Sequence, residues 1–304
     1  MNGRVTLFPT KKGADGSARI SMLMWGPSGA GKTTYAATAP GDKLWLSFDE
    51  GEHLSVVGRK EGDIYYKDFS SVPYDEIFKH GTGTNPFGLD MELFENRNIK
   101  TVVVDNLTAI QYFALQKAVA DGVGASRGFT PTMQQPGMGA YGGRNQNLIG
   151  LVRSLLAVTG KHRVHIIFIA HESDPVTKMQ NGVETIMHIT MGLGGQLING
   201  MTGSLSEVWN FRQDAGGKRS RIVTVRNSGN RRPMKTRIFD QKDSSSFVAE
   251  YDPSKPMNAP GQITIAYLWE KWLKGGMQRI SVPANRPGSD VEDNKPIKLV
   301  SPRV

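Results

Sequence analysis

Eight residues, GPSGAGKT at 26–33, constrain this chain more than any other stretch. The pattern G-x-x-x-x-G-K-[ST] fixes three residues and allows two at a fourth, so chance produces it in roughly one chain in a hundred of this length. Its surroundings narrow it further. The apolar run ISMLMW at 20–25 precedes it and reads as a buried parallel strand, and KTTYAATA, which follows, reads as a helix. Gly26, Gly29 and Gly31 let the backbone wrap closely around phosphate oxygens, with successive N–H groups aimed at them. Gly26, Pro27, Ser28, Gly29, Ala30, Gly31, Lys32, Thr33 and Thr34 are therefore the expected phosphate cradle of a P-loop. Lys32 is expected to reach the β- and γ-phosphates of a nucleotide, and the Thr33 hydroxyl to ligate Mg²⁺. The plain alternative is a turn that merely precedes a helix.

A magnesium site needs a second anchor, expected as an acid at the carboxyl end of the strand beside the P-loop strand. Asp105, closing the β-branched run TVVVD, fits that description as the Walker B acid. Asp63, Asp68 and Asp90 end less apolar runs. The alternative role for Asp105, capping the next helix, suits Asn106 or Thr108 better. Asn106 stands where one class of P-loop enzyme carries a glutamate base, and it cannot accept a proton. The base is therefore sought after the second strand, LWLSF at 44–48, which ends in Asp49, Glu50 and Glu52. Glu50 is the first choice because Gly51 leaves it free to face the γ-phosphate, and Glu52 is its competitor. His171 ends the run VHIIFIA at the same sheet edge, placed to contact the γ-phosphate and report its loss to the loop that follows.

The organisation agrees with an α/β fold. Apolar strand-like runs alternate with helical stretches at 87–98, 109–120 and 141–159, which implies right-handed crossovers and a mostly parallel sheet flanked by helices. Residues 64–69 read as an edge strand, and three runs at 206–212, 221–226 and 235–239 read as antiparallel additions near the C-terminus. Two glycine-rich stretches, 121–139 and 172–205, read as long loops. ITIAYLWEKWL at 263–273 reads as an amphipathic helix packing Leu268, Trp269 and Trp272 on the core. The expected divisions are a flexible segment 1–17, a core 18–240, an extension 241–275 and a flexible tail 276–304.

Composition excludes several chemistries. The chain has no Cys, which removes disulfides, thiolate metal sites and cysteine nucleophiles. No apolar stretch reaches the roughly 18 residues of a spanning helix, and the N-terminus has no apolar signal core, so a cytoplasmic protein without membrane partners is expected. A formal net charge of +9, from 37 Lys and Arg against 28 Asp and Glu, suits a partner for polyanions.

Together, a P-loop without a glutamate after Asp105, acids after the second strand, a polar residue ending the next core strand and two long glycine-rich loops resemble the RecA-like ATPases. GPSGAGKTTYAATAP, FDEGE, TVVVDNLTAI and IIFIAHE are similar to the RecA-like proteins of phages, including the Sak-type recombination proteins, over about 18–240. The resemblance implies ATP and Mg²⁺ as cofactors and a homo-oligomeric ring or filament. It implies that loops at roughly 121–143 and 172–205 bind single-stranded DNA, with Arg127, Arg144 and Lys178 as basic residues and Phe129 and Tyr141 as stacking groups. It also casts Arg226, or else Arg231 or Arg232, as a finger reaching a neighbour's nucleotide. Only about 65 residues follow the core, so annealing or exchange, aided by a single-strand-binding protein, is expected rather than full strand invasion. A helicase or packaging motor, a nucleotide-switched DNA-binding scaffold and a small-molecule kinase are the competing expectations.

Overall fold

The computed structural model describes residues 18–51, 55–56, 62–180, 183–213, 221–227, 230–240, 244–249, 261–276 and 278–283; residues 1–17, Glu52 and most of the expected tail lie outside them. Strands are β1 (Ser21–Gly26), β2 (Asp42–Ser47), β3 (Ile64–Asp68), β4 (Ile99–Asp105), β5 (His165–His171), β6 (Val176–Gln180), β7 (Val183–His188), β8 (Glu207–Gln213), β9 (Arg221–Thr224) and β10 (Ser246–Ala249). Helices are α1 (Lys32–Ala36), α2 (Tyr74–Gly81), α3 (Met91–Asn96), α4 (Leu107–Ala120), α5 (Gly137–Lys161), α6 (Gly195–Ser204) and α7 (Ile265–Lys274). Eight strands form one sheet in the order β10-β9-β8-β1-β5-β4-β2-β3, with the six from β8 to β3 parallel and β9 and β10 antiparallel.

The uninterrupted apolar runs follow from burial on both faces. Side chains alternate across the sheet, so Leu23, Trp25, Val102, Val104, Ile166 and Phe168 pack on the side of α4 and α5. Met22, Met24, Val103, Ile167 and Ile169 pack on the other side, with Tyr35 of α1 and Leu268 and Trp269 of α7. Helix α7 is stapled to α1: Ala266 N–H and Ile265 N–H donate to the Thr38 carbonyl and hydroxyl, and the Tyr35 hydroxyl donates to the Ile263 carbonyl.

Four expectations change. The Asp105 strand β4 is not beside the P-loop strand; β5 lies between them, because strand order is set by the crossover through α4 and α5 and not by chain order. The run at 206–212 is parallel to β1, and the antiparallel pairings of this sheet are those of β9 with β8 and with β10. Residues 235–239 make isolated bridges at Lys235 and Phe239 rather than a strand, and the last strand is β10, past residue 240. The stretch 172–205 holds the hairpin β6–β7 and helix α6 rather than an unstructured loop. Asp90 caps α3 by accepting the Leu93 N–H, which occupies one of the weaker candidates for a metal acid.

His165, at the start of β5, is buried against Trp269, and its Nδ1 accepts the Ile20 N–H at 2.9 Å. Burial, aided by the Arg19 charge, pushes its pKa down to about 4 from 6.5. The unfolded chain takes up this proton first, so the stability tied to a neutral His165 is complete above about pH 6.5 and is lost as pH falls toward 4. His165→Asn keeps an acceptor but no titration. Its stability deficit relative to wild type should shrink by roughly 2 to 3 kcal/mol between about pH 7.5 and 4.5, read by urea denaturation; a constant deficit would contradict the assignment.

Candidate active site

Parallel register brings the carboxyl ends of four strands to one edge: Gly26 lies opposite His171, and Ser47 opposite Asp105. The P-loop leaves that edge through Gly26, whose φ of 153° places any added Cβ about 2.0 Å from the Phe211 carbonyl oxygen of β8. Gly31 closes the loop at φ 84°, with the Arg221 side chain packed where a Cβ would be. Larger residues at either position collide with the neighbouring strand or side chain. Gln213 also reaches the loop, donating to the Gly29 carbonyl at 3.0 Å. Neither Gln213 nor Arg221 carries a local signal that would have singled it out.

Lys32 is buried, and its Nζ donates to the Gly26 and Pro27 carbonyls at 3.0 and 2.8 Å. Thr33 Oγ1 donates to Asp105 Oδ2 at 3.1 Å, across the intervening β5. A hydroxyl and a carboxylate beside a phosphate cradle are hard oxygen donors suited to Mg²⁺, which keeps several waters and phosphate oxygens in its own shell. Such a site requires no cluster of three acids or histidines, and the described residues contain none. The residues present fit the ion.

Asn106 organises the other half of the site. Its Oδ1 caps α4 by accepting the Ala109 N–H at 2.8 Å, which fixes the amide so that Nδ2 faces His171 Nε2 at 3.2 Å and Asp49 Oδ2 at 3.4 Å. Burial and the Lys32 charge hold the His171 pKa below its usual value, with Asp49 opposing them. A neutral ring accepting at Nε2 carries its proton on Nδ1, a buried atom with no hydrogen-bond partner among the described residues. A phosphate oxygen or water satisfies such a donor. The His171 N–H is held by the Thr108 hydroxyl at 3.0 Å, and the His171 carbonyl accepts the Gly192 N–H at 2.7 Å.

Of the expected bases, Glu50 is exposed beside this group, its N–H donating to Asp49 Oδ1 at 3.0 Å, and it lines an open cleft with Phe48, Asp49, Asp68 and Tyr112. The carboxylate that meets Asn106 and His171 is Asp49, one residue nearer the strand and not singled out among the acids of FDEGE. Arg226 is not at its own chain's P-loop; it donates to the Ser244 carbonyl. Arg231 lies 3.8 Å from Glu172, and Arg232 is exposed. Of the expected DNA-contacting residues, Arg127 and Lys178 are exposed, Arg144 lies over the Tyr141 ring at 5.0 Å, and Phe129 packs on Gly137 within the turn 126–129.

A parallel α/β sheet with a P-loop, a Thr–Asp pair and a polar strand end on one edge defines a P-loop nucleotide-binding domain of the ATPase type. The chain belongs to the AAA domain family, which it matches over residues 18–237. Comparison with curated protein sequences finds no match. Among solved structures, a prototypical ATPase from the type III secretion system of pathogenic bacteria is similar at 13% identity with a TM-score of 0.38, over 64% of this chain and 51% of that one. The chain thus spans about half the length of that ATPase. No helix among the described residues is long and apolar enough to cross a membrane.

Two variants separate Asn106's roles. Asn106→Ala should cost about 1 kcal/mol of stability through the lost cap, whereas Asn106→Asp keeps the cap acceptor and loses stability instead by setting a buried carboxylate against Asp49. Both lose the donor toward His171 and should slow nucleotide turnover alike; wild-type turnover in Asn106→Asp would show that the His171 contact is idle.

Proposed function

We propose that the chain hydrolyses ATP with magnesium and couples turnover to single-stranded DNA, acting as a homo-oligomer in phage-type recombination or annealing. One observation carries the coupling. The hairpin β6–β7 is joined to the nucleotide edge at its foot, where His171 O accepts Gly192 N–H and Ser173 N–H donates to Thr190 O at 2.8 Å. Residues that sense the phosphates therefore share a backbone with an exposed ribbon carrying Lys178 and Met179. Gln111 of α4 ties the same region to the Asp105–Asn106 side, bonding Gly192 O and Gly194 N at 3.2 and 2.8 Å. Tyr141, under the Arg144 guanidinium, adds an exposed aromatic face beside a cation, the pairing on which unpaired bases stack. The +9 net charge favours the same class of partner.

In this reading Lys32 binds the β- and γ-phosphates, and Asp105 and Thr33 hold the magnesium. The ion they would hold would supply positive charge to offset that of the phosphate oxygens. Asp49 or Glu50 orients the attacking water and takes its proton, while the His171 Nδ1–H meets a phosphate oxygen. Arg226 contributes charge from a neighbouring subunit.

The deciding measurement is ATP turnover with and without single-stranded oligonucleotide. Turnover stimulated by DNA is expected, and Lys32→Ala should reduce it by about a hundredfold or more. Asp49→Asn and Glu50→Gln should then divide the base role, the true base losing hydrolysis while keeping nucleotide binding. DNA-independent phosphorylation of a metabolite would sink the proposal, and nucleotide binding without turnover would favour a switched DNA-binding scaffold.

A further inference from the structure

We propose that Arg231 binds the γ-phosphate within its own subunit, and that Glu172 is the positioning residue that holds Arg231 until the triphosphate draws it away. The proposal rests on the ATP site above. Glu172 follows His171 directly, and its N–H donates to the Gly26 carbonyl at 3.0 Å, the oxygen that also accepts from Lys32 Nζ. Its carboxylate is thus rooted at the mouth of the P-loop, with its side chain only 14% exposed. Arg231 Nε stands 3.8 Å from Glu172 Oε2, and the charges of Lys32 and Arg212 act on the same carboxylate.

An anion placed among cations beside the phosphate lysine takes the electrostatic role that a γ-phosphate takes when ATP binds. The contact at 3.8 Å is an ion pair longer than a hydrogen bond. A γ-phosphate offers more charge and three acceptor oxygens, to which a guanidinium binds in a bidentate fork. Burial also raises the Glu172 carboxyl above its usual range despite its neighbours, so this anion is weakly committed to its charge.

Moving Arg231 has a mechanical consequence. Residues 230–232 lie alongside the foot of β7: Ile189 N–H donates to Asn230 O at 2.8 Å, Arg232 N–H to Ile189 O at 3.1 Å, and Asn230 Nδ2 to Ile186 O at 2.8 Å. The guanidinium that meets phosphate therefore sits on backbone bonded to the hairpin, opposite the His171 connection. Triphosphate and diphosphate differ in whether they draw on this second anchor.

The test measures affinities of ADP and of a non-hydrolysable ATP analogue, with magnesium, for wild type, Arg231→Gln and Glu172→Gln, each checked for folding by circular dichroism. Arg231→Gln should weaken the analogue about tenfold or more while ADP moves less than about twofold. Glu172→Gln should tighten the analogue severalfold without changing ADP, and decides the matter alone if Arg231→Gln does not fold. Equal changes for both nucleotides, or none, overturn the proposal while leaving the ATP site standing. Wild type that binds neither nucleotide sinks the site and the proposal together. Mixing Lys32→Ala with Arg231→Gln should restore no turnover, because each subunit's own site is defective; restored turnover would place Arg231 in a neighbour's site. Hydrogen exchange at 184–188 should respond to the analogue in wild type only, and a response retained in Arg231→Gln would refute the link to the hairpin.

Discussion

The contact between the Thr33 hydroxyl and the Asp105 carboxylate, 3.1 Å long, joins side chains 72 residues apart in the chain, one on the helix that follows β1 and one at the end of β4, a strand that β1 does not touch. It forms because three parallel strands run to the same edge of the sheet, with β5 as the spacer between the P-loop and the acid. The spacer is also a participant. Its last residue, His171, arrives at the same edge, so the sheet order that separates Thr33 from Asp105 also delivers an imidazole ring beside Asn106. Asn106 then locks the arrangement by capping α4 with one end of its amide and holding His171 with the other.

The parts of the site written in contiguous residues were legible. A glycine-rich turn with Lys32 and Thr33, set between an apolar strand and a helix, reads first as a phosphate cradle, and Asp105 ends its β-branched run abruptly enough to mark the sheet edge. The insertion of β5 between β1 and β4 was not legible, because each strand's pattern records only that it is buried, not beside which neighbour. The hairpin was within reach: Asn181-Gly182, between runs rich in Val, Thr and Ile, is a strong hairpin signal that the abundance of glycine nearby obscured. Asp49 was displaced by Glu50 through an argument about the freedom conferred by Gly51, whereas reach was decided by the end of β2. Asp49 is close enough to the strand to meet Asn106. Glu172 hides behind His171, since a charged residue just past a strand reads as solvated until Gly26 and Arg231 are seen around it.

The site is asymmetric in its connections. On one side His171 and Gln111 tie it to residues 190–194; on another Glu172 and Arg231 tie it to β7 through residues 230–232. The P-loop itself is walled by β8, whose Phe211 carbonyl leaves no room for a side chain at Gly26. The glycine-rich turn is thus walled by the sheet, while its two tethered neighbours lead to the hairpin and to residues 190–194.

The staple between α7 and α1 bears on how the protein is made. Helix α1 has five residues, too few to hold itself together, and three hydrogen bonds from 263–266 secure its end. Its sheet partner β8 also arrives late, 185 residues beyond β1. Within the domain the phosphate cradle therefore precedes in sequence the elements that secure it, and its surroundings are complete only once β8 and residues 263–266 have been added.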